Sequence, residues 1–211
     1  MPCSGWNAKG RGRGQEGLRA VSMRDDYKSE TAKKWKTIES QALVDTYHVV
    51  VHKDKVQLPD GAVIDDFYTV SIPDAAMIAA VTEDGKILLK SEFRYAIGTE
   101  VIECPAGMFE SDEKDPFVVA KRELLEETGY SSDEWIYLGA TLESTSKLTN
   151  RMHLFLAKDC KRVSAQHLDE NEHLDVMPVS LEAAVEMVMS GVIAANSTAH
   201  LILKVARMMG V

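Results

Sequence analysis

Apolar and polar positions between residues 46 and 103 come in short runs and alternations, the period of strands rather than of helices. The β-like character begins at about residue 36. Thr46-Tyr-His-Val-Val-Val-His and Asp66-Phe-Tyr-Thr-Val-Ser-Ile are rich in β-branched and aromatic residues, with Pro59-Asp60-Gly61 as a turn between them. Residues 75–81 and 86–90 predict a hairpin around Glu83-Asp84-Gly85, and residues 101–104 a short strand entering Pro105-Ala106-Gly107. The period then changes. Asp115 is positioned to cap a helix, Pro116 suits its first turn, and Gly129 stands just past its end. Strands return at residues 135–142, 153–156 and 176–179. Two helices close the chain, residues 180–190 ending at Gly191 and residues 196–209 ending at Gly210, with Asn196 as the cap of the second. Strands dominate early and one helix interrupts them, which predicts a mixed-sheet α/β (α+β) domain.

Composition narrows the class. The 211 residues are 45% hydrophobic and 27% charged, the profile of a folded globular chain. No run approaches the roughly 18 apolar residues of a membrane span, so a membrane partner is not expected. The net charge of −9 makes the chain a poor non-specific binder of nucleic acid. Residues 1–22 run against this trend with a net +3, leaving −12 for the remainder. That Gly-rich stretch lacks apolar periodicity and reads as a disordered basic tail, with Met23 as an alternative start. Its GRGQEG string fits a dinucleotide fingerprint, but no strand precedes it and no βαβ unit surrounds it. Cys3, Cys104 and Cys160 are odd in number and far apart, which implies reduced thiols and a cytoplasmic setting. Cys104 has no basic neighbour in sequence to activate it, so it reads as a buried small residue. Met177, Met187, Met189, Met208 and Met209 read as core filler near the terminal helices.

The chemistry concentrates in residues 107–130, GMFESDEKDPFVVAKRELLEETGY. On the helix, Glu123, Glu126 and Glu127 stand at i, i+3 and i+4 and so share one face. Like charges at that spacing destabilise a helix by a few tenths of a kcal/mol unless something compensates them. A solvated face is one solution. A divalent cation is the other, since clustered carboxylate oxygens are the hard ligands that Mg²⁺ prefers and shares with phosphates. Arg122, beside them, can orient a carboxylate through a bidentate pair.

The same segment closely resembles the Nudix box, G-x5-E-x7-R-E-U-x-E-E-x-G-U with U apolar. Gly107, Glu113, Arg122, Glu123, Leu124, Glu126, Glu127, Gly129 and Tyr130 fill its places. One residue is extra between Glu113 and Arg122, and the loop at Lys114-Asp115 is expected to absorb it. Phe93-Arg94-Tyr95, Glu103-Cys-Pro-Ala-Gly and Asp169-Glu-Asn-Glu are similar to the ADP-ribose pyrophosphatase branch, a resemblance covering roughly residues 40–210. It implies a Nudix fold over residues 75–211, a mixed sheet between helices, preceded by a β segment at 23–74 through which homodimers exchange strands. It further implies Mg²⁺-dependent (or Mn²⁺-dependent) hydrolysis of a nucleoside-diphosphate-linked small molecule, with AMP and ribose 5-phosphate released from ADP-ribose.

By that resemblance Glu123 and Glu127 are the principal metal ligands, with Glu126 beside them and the Ala106 carbonyl as a further ligand. Glu127 and Arg122 belong to the catalytic set. Glu170 and Glu172 share a loop, Glu170 taking the proton of the attacking water and Glu172 completing the metal site. Arg94 contacts the diphosphate, and Glu103 and Arg151 join it at the substrate. His167 and His173 flank the acidic loop without ligand-like spacing. The branch usually carries a proline about sixteen residues beyond the box. Residues 139–151 have none, so GDP-mannose, another nucleotide sugar or NADH stays open as substrate. A non-catalytic ligand-binding regulator would be expected to have lost box carboxylates, and here all are present.

Overall fold

The computed structural model describes residues 34–170 and 172–211. The expectations for residues 1–22, the alternative start at Met23 and the GRGQEG string lie outside the described residues. Three strands come first, β1 (Lys36–Asp45), β2 (Val50–Gln57) and β3 (Val63–Ser71), forming an antiparallel sheet in the order β1-β2-β3. The expected strand at 46–52 is partly a turn. Thr46 accepts from and donates to Val49 across it, so pairing restarts only at Val50 and the true first strand runs from Lys36 to Asp45.

The second sheet carries β4 (Ala75–Thr82), β5 (Lys86–Arg94), β6 (Thr99–Glu103), β7 (Ala106–Met108), β8 (Tyr130–Ser131), β9 (Glu134–Thr141), β10 (Met152–Arg162) and β11 (Leu174–Ser180). Its main path is β11-β5-β4-β10-β8, with β6 on β5, β7 on β4 and β9 on β10. Only β4 and β10 pair in parallel; the other pairings are antiparallel, which makes the sheet mixed. Helices α1 (Pro116–Thr128), α2 (Leu181–Met189) and α3 (Asn196–Met209) cover it.

Because side chains alternate along a strand, β4 serves both faces. Met77, Ala79 and Val81 join Ile87, Leu89, Leu154 and Leu156 under α2 and α3, against Leu201, Ile202 and Val205. Ala76, Ile78 and Ala80 join Leu88, Phe155 and Ala157 under α1, against Val119, Ala120 and Leu124. The sheet is therefore sandwiched between helices, as expected.

Asn196 does not cap α3. Ala195 holds the cap position with no side-chain hydrogen bond, and Asn196 is already helical. The end is supported instead by tertiary contact, through Ser197 donating to Glu143. The methionines also differ from expectation. Met189, Met208 and Met209 lie at the surface on the outer ends of α2 and α3, while Met177 and Met187 are half-buried. Cys104 and Cys160 are buried free thiols, and burial pushes the Cys104 thiol well above its ordinary range.

Candidate active site

Two local signals set α1 in place. The Asp115 carboxylate accepts from the Phe117 N–H at 2.9 Å, and Gly129 closes the helix in the left-handed conformation at φ 72°. A Cβ at Gly129 would lie 2.4 Å from the Ser164 carbonyl oxygen, so close packing as well as conformation demands glycine. Gly107, at the other end of the motif, leaves room for a side chain. A Cβ there would stand 2.0 Å from the Glu123 carboxylate. The two motif glycines let β7 and the chain beyond α1 close onto the helix.

Arg122 organises the exposed side of the acidic face. Its guanidinium grips Glu113 with two bonds of 3.0 and 2.9 Å, then reaches Glu123 at 2.7 Å, Glu126 at 3.0 Å and the Met108 carbonyl at 3.2 Å. The extra residue before the helix is absorbed as expected. A turn in which Glu113 N–H donates to Glu110 and Glu110 N–H donates to Glu113 keeps that carboxylate in reach of Arg122.

The buried side holds a group that the motif reading missed. Lys90, on β5 and only 2% exposed, donates to one oxygen of Glu127 and lies 3.2 Å from Glu92. The other oxygen of Glu127 accepts from the Ala106 N–H at 3.0 Å. A signal existed in the sequence. Lys90 follows Leu88 on the face of a central strand, and a buried lysine requires a charged partner. Arg94 continues the row, bonded to Glu103 at 2.8 and 2.6 Å and to Glu92 at 2.9 Å. Arg94 and Glu103, both expected at the substrate, are thus each other's partners here.

A cavity of about 220 Å³ opens over α1. Arg122, Glu123, Glu126, His167, Asp169 and Glu172 line it together with Tyr47, His48, Pro73, Met108, Phe109 and Glu110. Tyr47 belongs to the turn after β1 and donates to the Phe109 carbonyl, bringing the N-terminal sheet to the rim. Glu170 is exposed on its turn and does not line the cavity. Arg151 does not line it either; its backbone is tied to Asp74 at 2.7 Å. A larger cavity, about 540 Å³ between β9 and α3, contains none of the expected site residues.

Electrostatics mark the helix carboxylates. Burial pushes Glu123 up to about 7, with Arg122 opposing and Glu126 and Glu172 adding to the rise. Glu127 is also raised by burial, against the pull of Lys90. Glu113 is held below the usual carboxylate range by Arg122. Among the described residues no three ligating side chains already converge as a cation cage. The reason is visible in the contacts: Glu123 and Glu126 are turned to Arg122, and Glu127 to Lys90. The donor set nevertheless fits a hard divalent ion. Glu113, Glu123, Glu126, Glu127 and Glu172 are all carboxylates; Arg122 pairs with the first three and Lys90 with Glu127.

Comparison with known proteins agrees with this geometry. Residues 71–196 match the NUDIX domain, and residues 35–70 match the nucleoside diphosphate sugar hydrolase N-terminal domain. The chain is 33% identical over 168 residues to an ADP-ribose pyrophosphatase of Bacillus subtilis (strain 168), covering 79% of this chain and 90% of that one. It is 32% identical over 154 residues to a methanol dehydrogenase activator of Bacillus methanolicus, covering 72% and 82%. The crystal structure of an ADP compounds hydrolase superposes with a TM-score of 0.69 at 18% identity, over 84% of this chain and 97% of that one. With the motif, the helix it builds and the domain match in agreement, the chain belongs to the Nudix hydrolases.

Proposed function

We propose that the protein hydrolyses the diphosphate linkage of ADP-ribose or a closely related nucleoside-diphosphate sugar in a Mg²⁺-dependent reaction, giving AMP and ribose 5-phosphate from ADP-ribose. The observation that carries this reading is the row of carboxylates on α1, with Glu123 and Glu127 buried and with Glu123 and Glu126 lining a cavity together with Glu172. Lys90 and Arg122 are two cations against the three carboxylates of α1, with Glu113 and Glu172 adjoining, so negative charge is left over for a divalent ion, which a diphosphate substrate can share.

Glu123, Glu126, Glu127 and Glu172, with the Ala106 carbonyl alongside, are the groups that would hold Mg²⁺, or Mn²⁺ in its place. The bound ions would neutralise the diphosphate and acidify a water. Arg122 holds the Glu123 and Glu126 carboxylates side by side and ties them to Glu113, and a cation would draw them from that guanidinium. Glu172 lines the cavity with Glu123 and is near enough to raise that carboxyl, which supports a part in holding the cation. Glu170, on the same turn, is the candidate to take the water proton. Arg94 would meet the diphosphate by exchanging one of its present carboxylate partners, Glu92 or Glu103. Arg151 lies away from the cavity, which weakens its part in substrate binding.

The ADP-ribose pyrophosphatase relative favours ADP-ribose. The proline-free segment at 139–151 keeps GDP-mannose and NADH as alternatives. In the fold its 144–149 stretch is pinned to β3 through Val70 and Leu148. A homodimer through the N-terminal sheet is supported by β1, exposed along its whole length and presenting Ile38, Leu43 and Val44. The free thiols Cys104 and Cys160 support a reducing, cytoplasmic setting. Among the described residues no helix is long and apolar enough to cross a membrane.

The test is direct. Purified protein is incubated with Mg²⁺ and, separately, ADP-ribose, GDP-mannose and NADH, and the products are separated and weighed by mass. AMP and ribose 5-phosphate from ADP-ribose, lost on adding EDTA, is the expected result. Turnover of another compound alone would move the substrate, and no turnover of any would overturn the reading.

A further inference from the structure

The carboxylates of the site are not equally compensated. Glu127 has both oxygens engaged, one by the Lys90 ammonium and one by the Ala106 N–H. Lys90 is in turn shared with Glu92, Glu92 with Arg94, and Arg94 with Glu103. Charges therefore alternate along a row, Glu127, Lys90, Glu92, Arg94, Glu103, in which each carboxylate touches a cation. The cavity side differs. Glu123 and Glu126 share a single nitrogen of Arg122, whose other bonds go to Glu113 and the Met108 carbonyl. Glu172 lines the cavity with them, and among the described residues no cation pairs with it.

Lys90 cannot be a solvated surface lysine that happens to lean inward. It is 2% exposed in a strand whose neighbours Leu88 and Leu89 are fully buried. An ammonium in such a place is retained only with anionic partners, and it in turn satisfies them without any metal. We propose that the Lys90 ammonium is a fixed cation of the catalytic site, filling the place at Glu127 that a divalent ion would otherwise take, so that divalent ions collect at Glu123, Glu126 and Glu172. Lys90 is thus a positioning residue. It locks Glu127 as a structural anchor between β5, β7 and α1, and sets how many divalent ions the acidic face admits. The inference rests on the cation-dependent reading above and narrows the part of Glu127 within it.

The full chain is titrated with Mn²⁺ and the free ion followed by electron paramagnetic resonance, independently of turnover. Glu127→Gln, which keeps the shape and the acceptor for Lys90, is expected to bind as many ions as the wild type with little change in affinity. Glu123→Gln is expected to lose an ion. Lys90→Met, which bares Glu127, is expected to bind one ion more than the wild type and to gain more thermal stability from Mn²⁺. Loss of an ion in Glu127→Gln, or a weakening of about 10-fold or more as for loss of a group supporting a metal, would overturn the proposal. An unchanged ion count in a folded Lys90→Met would overturn it as well. Where Lys90→Met does not fold, Glu127→Gln carries the test alone. If the wild type itself binds no Mn²⁺, the cation-dependent reading fails first, and the role of Lys90 falls with it.

Discussion

The two faces of the central sheet are made by the same strands and differ in what they bury. Under α2 and α3, Met77, Ala79, Val81, Ile87, Leu89, Leu154 and Leu156 meet Leu201, Ile202 and Val205, and the polar groups α3 buries there, Ser197 and Thr198, are neutral hydroxyls with hydrogen-bond partners. Under α1 the layer begins the same way, with Ile78, Leu88, Phe155, Val119 and Leu124, and then turns polar. Lys90, Glu123 and Glu127 are buried at its edge beside the cavity. The apolar face gains from burial at roughly 25 cal/mol per Å² without needing any partner chemistry. The α1 face holds ionised groups away from water, which is favourable only when each finds an opposite charge or a ligand. One face secures the fold. The other gives up some of that security to hold charge where a substrate can reach it.

Substitutions should separate the faces cleanly. The largest effect on stability is expected from Leu201→Ala, which opens a cavity in the apolar layer and should cost about 2–5 kcal/mol in denaturant unfolding. Its turnover per folded molecule should stay unchanged, and a fall in kcat without a fall in stability would show that the faces are not independent.

Glu123→Gln should do the reverse. Activity should collapse, while the metal-free protein becomes more stable at pH 8 by an amount on the order of 1–3 kcal/mol. The sign follows from the raised carboxyl. Between the ordinary glutamate value and about 7 the folded state holds a proton that the unfolded state has released. Metal-free stability must therefore fall as pH rises through that window, and the full penalty is present above it. Chemical unfolding in EDTA from pH 5 to 8 reads this directly. Glu127 is raised too and leaves a slope of its own, so a Glu123→Gln profile as steep as the wild type's would remove Glu123 as a source.

Gly107→Ala tests the contact between β7 and the helix. The new methyl group must displace the Glu123 carboxylate, so divalent-ion affinity and kcat should drop together while Tm moves little. Retained Mn²⁺ affinity would mean that Glu123 has another productive position. The smallest effect belongs to Asp115→Ala, which removes the helix cap and should lower stability by about 1 kcal/mol without changing metal affinity. A larger loss of activity than of stability there would mean that the cap also fixes the register of the acidic face.

Much of this arrangement was legible in residue order, because its causes are short in range. The cap at Asp115, the stop at Gly129 and the spacing of Glu123, Glu126 and Glu127 depend on neighbours within a helical turn or two, and the structure reproduces them. The hairpin at 75–90 and the strand preceding Gly107 depend on local alternation and a turn, and they too are found. Errors arose where a local signal had a tertiary competitor. Thr46 looked like a strand residue and became a turn, since the pairing of β1 with β2 required a reversal there. Asn196 looked like a cap and became helical, since Ser197 found Glu143 across the fold.

The sequence by itself determined that α1 carries three carboxylates on one face, that two glycines flank it, and that the chain is a mixed α/β protein of this family. Periodicity, capping and spacing act over a few residues, and so they survive in the order of the chain. Only the tertiary structure decided who meets whom across the sheet. It brought Lys90 to Glu127 over 37 positions of chain, joined Arg94 to Glu103, carried Tyr47 to Phe109 at the rim, and set Glu172 rather than Glu170 in the cavity wall. Those pairings turn on strand order and on which charges must be satisfied once water is excluded, and neither is written in any local stretch of the chain.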